Sequence, residues 1–201
     1  MKPITRRSAL KLFGSAPAAA VLVWTPAEAE QAQGQSQQAR SAAVKRGVSY
    51  KPKFFTAHEY ATVAVLVDLI IPKDERSGSA TDAGVPEFMD FMMIDQPRRQ
   101  TAMRGGLALI DRLCEARFDK RFAACSGVQR RQVLDAIAYP ADAKPELSQA
   151  VAFFSSFRDL TASGFWTTKM GVEDLAYQGN VFAPDWDGCP SAALDKLGVK
   201  Y

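Results

Sequence analysis

The sequence predicts an all-α protein, a compact bundle of about five helices followed by an irregular, aromatic-rich C-terminal tail. Three observations predict it. Apolar residues recur at helical spacing from residue 56 to residue 164. The stretches so marked open on capping residues and close at Pro or Gly. No stretch sustains the apolar/polar alternation that a half-buried strand requires.

The first helix of the bundle opens at Thr56-Ala57-His58-Glu59, a capping box in which hydroxyl and carboxylate each answer a free amide. Phe55 and Tyr60 stand at the positions of a hydrophobic staple. Tyr60, Val63, Val67 and Ile70 then keep the helical period until Pro72 stops it. Residues 73–84, "KDERSGSATDAG", are polar and rich in turn formers, so an exposed loop is expected there.

Pro86 suits the first position of a second helix, which carries Phe88, Met89, Met92 and Met93. A third runs from about Arg98 with Met103, Leu107, Ile110, Cys114 and Phe118 on one face. The interior pair Gly105-Gly106 lowers helix propensity and so points to another element packed closely there. Ser126-Gly127-Val128-Gln129 repeats the capping box and opens a fourth helix that buries Val133, Leu134 and Ile137 before Pro140. Pro145 starts a fifth, with Leu147, Val151, Phe154 and Phe157 toward the core and its end near Gly164.

From Phe165 onward the chain is aromatic and turn-rich, with short helical stretches only around Val172–Ala176 and Ser191–Leu197. A segment of that kind must lie on the helical body or on another protein. Phe165, Trp166, Tyr177, Phe182 and Trp186 are therefore candidate anchors of a partner interface. Packing onto the chain's own helices is the alternative for each, and most of all for Phe165, which directly follows the fifth helix.

The N-terminus has a different character. Thr5-Arg6-Arg7-Ser8-Ala9-Leu10-Lys11 resembles the twin-arginine export signal, with Arg6, Arg7, Leu10 and Lys11 in the pattern and Ala9 in place of its large apolar residue. Leu12 to Trp24 is apolar but only about thirteen residues long and broken by Gly14 and Pro17, short of the roughly twenty that span a bilayer. It reads as a signal-peptide core. Ala27 and Ala29 complete the small-x-small pattern that signal peptidase cuts. The expected organisation is thus a signal over 1–29, a Gln/Ala/Ser-rich leader without regular structure over 30–49, a helical body over 50–164 and the tail over 165–201.

Taking Lys2, Arg6, Arg7, Lys11 and Glu28 away with the signal leaves 21 basic and 21 acidic residues out of 25 and 22. A neutral chain has no electrostatic footprint for nucleic acid. Of the three cysteines, Cys114 and Cys125 fall on or beside apolar helix faces and Cys189 in a loop, which leaves either one bridge or free thiols open.

Residues able to carry chemistry are sparse. The single histidine, His58, lies in the first turn of a capped helix, and the sequence around it offers neither a base nor an orienting partner. It is expected on the helix surface. Glu173-Asp174 and Asp185 with Asp187 read as solvated edges rather than a cation site, since calcium needs six or more oxygens. Met89, Met92 and Met93 read as core filler. With no glycine-rich turn after a strand, neither a dinucleotide nor a phosphate cradle is expected.

Two stretches, "FFTAHEYATVAVLVDLIIPKDERSGSATDAGVPEFMDFMM" and "GFWTTKMGVEDLAYQGNVFAPDWDGCP", resemble the gluconate 2-dehydrogenase subunit 3 family, with the likeness running from Tyr50 to Gly198. The resemblance implies a non-catalytic small subunit with no cofactor of its own. Its partners would be an FAD-containing catalytic subunit of the glucose-methanol-choline type, a c-type cytochrome subunit and the twin-arginine translocation machinery. It further implies a periplasmic location, with any membrane association made through the complex. The rival expectation is a stand-alone exported helical protein that binds a ligand or holds an unrecognised active site.

Overall fold

The computed structural model describes residues 25–45, 50–176 and 188–199, and within them the protein is all-α with no strand. The helices are α1 (Pro26–Lys45), α2 (Ala57–Ile70), α3 (Ala80–Ala83), α4 (Val85–Asp95), α5 (Gln100–Phe118), α6 (Gly127–Ala138), α7 (Ser148–Trp166), α8 (Lys169–Asp174) and α9 (Ser191–Leu197). Short 3₁₀ turns at Pro97–Arg99, Phe122–Ala124 and Pro145–Leu147 lead toward the helices that follow them. The five expected body helices are α2, α4, α5, α6 and α7.

Sequence-encoded caps set where they begin. Thr56 accepts from the Glu59 amide while the Glu59 carboxylate accepts from the Thr56 amide, and Ser126 with Gln129 repeats the arrangement. A third box, Ser79 with Asp82, opens α3 inside the segment expected to be an exposed loop. Residues 73–76 are exposed, but Ala80 is fully buried. Asp68 accounts for the difference by accepting both the amide and the hydroxyl of Thr81, at 2.8 and 2.7 Å. A short acidic cap satisfies amides much as Glu or Gln would, and polar composition alone does not reveal it.

α7 lies at the centre, touching α1, α2, α3, α4, α5, α6 and α8. Two glycines allow the closest approaches. A Cβ on Gly106 of α5 would stand 1.9 Å from the Phe153 ring of α7, which explains half of the interior Gly105-Gly106 pair. A Cβ on Gly164 would stand 2.6 Å from the Phe88 ring of α4. Gly164 therefore serves a helix crossing instead of ending the helix, and α7 continues to Trp166. Phe88, Met89, Met92, Met93, Met103, Ile110, Ile137, Phe157 and Leu160 are fully buried around these contacts. The methionines fill the core as their spacing predicts.

α4 is buried on nearly every side, and Asp90 in its middle has no exposed surface. Its carboxylate is fully answered: Oδ2 accepts from the Tyr50 hydroxyl and the Lys53 amide, both at 2.8 Å, and Oδ1 from the amides of Phe54 and Phe55 at 2.9 and 3.0 Å. The chain ahead of α2 is thereby fixed to α4. Burial, then the Asp90 carboxylate, holds the Tyr50 hydroxyl protonated far above its ordinary range, as a donor needs. Burial and Glu87 do the same to Tyr60.

The leader expected to lack regular structure is helical as α1, and it lies along α4. Ala, Gln, Glu and Arg are strong helix formers. Ala29, Ala32, Gln33 and Ser36 form the buried side, small enough for close approach. Its low apolar content describes a helix that packs through small side chains, not an unfolded segment.

Replacing Asp90 by Asn substitutes an amide nitrogen for one accepting oxygen and leaves two donors unanswered. The expected loss is about 3 kcal/mol. In a chain of this size that lowers the melting temperature by roughly 6–12 °C, read by thermal unfolding of the two proteins side by side.

Candidate functional site

The anchors proposed from the sequence separate in the structure. Phe165 is fully buried, its ring edge-on to Trp166 at 4.9 Å between centroids. Its carbonyl accepts the Thr168 amide at 3.0 Å and the Thr168 hydroxyl at 2.7 Å, which forms the turn from α7 into α8. Phe165 is thus a core residue in the last turn of α7 and offers a partner nothing. Trp166 is half-buried at the edge of the same turn. Tyr177, Phe182 and Trp186 lie outside the described residues, as do Arg6, Arg7, Leu10 and Lys11.

Val172 of α8 and Leu175 at its C-cap are 37% and 55% exposed. Neither is aromatic, and neither stands among the anchors expected from the sequence. Their three-residue spacing on a short helix was the available signal. Arg76 holds α8 to the loop after α2 by donating to the Asp174 carbonyl, with its Nε 3.3 Å from the carboxylate. Glu173 meets Lys169 at 3.6 Å. Each member of the Glu173-Asp174 pair therefore faces its own cation, while Asp185 and Asp187 lie outside the described residues. Among the described residues no three His, Cys, Asp or Glu side chains converge as metal ligands would.

A second surface was not legible in the sequence. His58 does have an orienting carboxylate, because Nε2 stands 2.5 Å from Oδ2 of Asp111, fifty-three positions away on α5. The other Asp111 oxygen accepts the Phe122 amide at 3.0 Å. Next to this pair Arg104 donates to both Glu59 oxygens at 2.7 and 2.8 Å and to the Phe54 carbonyl at 2.8 Å, with its guanidinium 4.4 Å above the Phe54 ring. His58, Asp111, Glu59 and Arg104, together with Thr62 and Arg112, line a polar groove of about 400 Å³ between α2 and α5.

Such a pair supplies a base and its orienting group but needs a nucleophile within hydrogen-bond reach to perform acyl or phosphoryl chemistry. The nearby Thr62 hydroxyl is buried and makes no hydrogen bond, so His58 does not hold it. What the geometry provides is a brace: His58, Asp111 and the Phe122 amide tie α2, α5 and the turn before α6 together.

The thiols differ sharply. Cys114 and Cys125 are buried and unbridged, Cys125 placing its sulfur 3.7 Å from the Lys120 carbonyl, whereas Cys189 is exposed. Burial, then the neighbouring Cys125, pushes the Cys114 thiol up to about 12, so it stays protonated and unreactive at neutral pH. Alkylation of the folded, reduced chain at pH 7.5 is therefore expected to modify Cys189 alone, with Cys114 and Cys125 reacting only after denaturation. Peptide mass mapping before and after unfolding checks this.

Of the residues that sequence reading assigned to processing, Ala27 is exposed and Ala29 is 2% exposed, both in the first turn of α1. No described helix is long and apolar enough to cross a membrane.

No curated protein and no solved structure matches the chain. A family model described as gluconate 2-dehydrogenase subunit 3 matches residues 57–184, from the first residue of α2 to beyond α8, leaving α1 outside. This lies within the span of the likeness read from the sequence. The match covers the larger part of the chain, which therefore belongs to the gluconate 2-dehydrogenase subunit 3 family and, by that description, is a subunit of a dehydrogenase complex.

Proposed function

We propose that the chain is the non-catalytic small subunit of a periplasmic flavin-dependent sugar dehydrogenase, and that it supports the folding and twin-arginine co-export of the FAD-containing catalytic subunit. Membership of the family is the observation that carries the reading. The twin-arginine pattern at Arg6-Arg7 supplies the export element. A flavoprotein acquires its cofactor in the cytoplasm and must cross the membrane folded, so a signal on a small bound subunit can serve both chains. In the complex a c-type cytochrome subunit would take up the electrons. Trp166, Val172 and Leu175 are accessible apolar residues suited to the flavoprotein, and Tyr177, Phe182 and Trp186 would join them.

The stand-alone reading keeps one observation in its favour, the polar groove around His58 and Asp111. The two readings separate on co-expression with the catalytic subunit. Changing Arg6 and Arg7 to Lys preserves charge and removes the guanidinium geometry. Both subunits of that variant are expected to stay in the cytoplasm. Wild-type periplasmic dye-linked sugar oxidation from it would overturn the export role.

Trp166→Ala tests the interface. An anchoring aromatic typically contributes 2 kcal/mol or more to binding, roughly a thirtyfold loss of affinity on truncation. The expected outcome is poor recovery of the flavoprotein in a pull-down, with a small change in the melting temperature of the isolated chain because Trp166 is only half-buried. Full recovery of the flavoprotein removes Trp166 from the interface.

A further inference from the structure

The bond between Ala29 and Glu30, where the small-x-small pattern places cleavage, lies inside a folded helix. Thr25 and Glu28 form a reciprocal cap on α1: the Thr25 amide donates to the Glu28 carboxylate at 3.0 Å and the Glu28 amide to the Thr25 hydroxyl at 3.3 Å. The Ala29 amide donates to the Thr25 carbonyl at 3.1 Å, and the Ala29 side chain is turned into the body at 2% exposure. A protease that reads side chains before the scissile bond needs that stretch extended and free, as in strand-addition recognition. Helical backbone with its key side chain buried cannot be bound in that way.

α1 is pinned to the body at both ends, antiparallel to α4. Near its start Glu28 meets Gln96 and Arg99, just beyond the end of α4. Near its end Arg40 donates to the Asp82 carbonyl at 2.8 Å and passes over Gly84, just before α4 begins. Between the pins α1 contributes only small and polar side chains to the contact. The buried side is Ala29, Ala32, Gln33 and Ser36, with no large apolar side chain, and both amide atoms of Gln33 are buried without a hydrogen-bond partner. Leaving the body would hydrate those atoms and take no large side chain of α1 out of the core, a cost set against uncovering the α4 side chains beneath, so opening is a local event short of global unfolding.

We infer that α1 is a gate over the processing site: docked on α4 it withholds the Ala29–Glu30 bond, and cleavage proceeds only through the undocked state. This rests on the export reading, since the twin-arginine route delivers folded protein and the peptidase therefore meets the docked form. Cleavage adds water across the bond, leaving a carboxylate on Ala29 and an amine on Glu30. It also removes the Thr25 and Glu28 cap, the Glu28 contacts and the buried Ala29 from the helix. The remaining segment docks more weakly, so cutting makes the release of α1 one-way.

The test uses the folded full-length chain and a bacterial signal peptidase in detergent micelles, beside a synthetic peptide of residues 16–36. The peptide is expected to be cut after Ala29, and the folded chain at least tenfold more slowly. Arg40→Ala removes one pin and is expected to raise the rate on the folded chain about tenfold, the factor a lost charged hydrogen bond of about 1.4 kcal/mol represents. Gln33→Leu replaces the unpartnered amide with an apolar group of similar size, and is expected to slow cleavage by a similar factor. Hydrogen exchange at amides 30–42 should quicken in Arg40→Ala and slow in Gln33→Leu, which reports docking independently of cleavage. An uncut peptide eliminates the processing site and with it that part of the export reading. A peptide cut at the same rate as the folded chain overturns the gate alone, as does unchanged cleavage in Arg40→Ala when its exchange has quickened.

Discussion

The structure depends on the carboxylate of Asp90. A charge with no exposed surface is tolerated in a protein interior only when its oxygens are answered, and here four donors answer it, three of them backbone amides of consecutive residues. Drawing Lys53, Phe54 and Phe55 onto α4 fixes the direction from which the chain reaches Thr56 and so the start of α2. It also places the Phe54 carbonyl and ring where Arg104 of α5 binds both, and Arg104 in turn holds Glu59, the far member of the α2 cap. One buried charge thereby coordinates three helices and sets one wall of the polar groove.

Around that fixed point the core is assembled from adaptable parts. Met89, Met92, Met93 and Met103 are fully buried among rigid phenylalanines, and unbranched thioethers can fill the irregular gaps left where helices cross. The crossings themselves are made tight by absent side chains, Gly106 beneath Phe153 and Gly164 beneath Phe88. Precision thus resides in the polar clamp and the glycine contacts, while the methionines take up what remains. In such a core a change of one methylene is absorbed more easily at a methionine than at either glycine.

What the sequence revealed follows from the range of the interactions involved. Helix starts at Thr56 and Ser126, the core role of the methionines and the tight packing implied at Gly105-Gly106 are local signals, and each is found where periodicity or capping chemistry places it. The Ser79 box is equally local but was obscured by the polar residues around it. His58 with Asp111, Asp90 with residues 50–55, and α1 on α4 are contacts across thirty or more positions, and composition carries no trace of them. The misjudged leader is instructive. Low hydrophobicity argues against independent folding, yet a helix-favouring segment of small residues needs only a neighbouring surface to become ordered.

The aromatic tail shows why residue type alone does not define an interface. Phe165 and Trp166 are neighbours of similar character, yet one is enclosed and the other sits at an edge, because the turn into α8 uses the Phe165 carbonyl as its acceptor and brings Gly171 against that backbone. The turn thus decides which ring is spent on the core. What remains accessible is half-buried Trp166, together with Val172 on the helix that the same turn launches and Leu175 at its C-cap. Each Å² of apolar side chain left in water at these positions forgoes about 25 cal/mol of burial. The same bonds that bury Phe165 therefore leave Trp166 at an edge and Val172 and Leu175 in water.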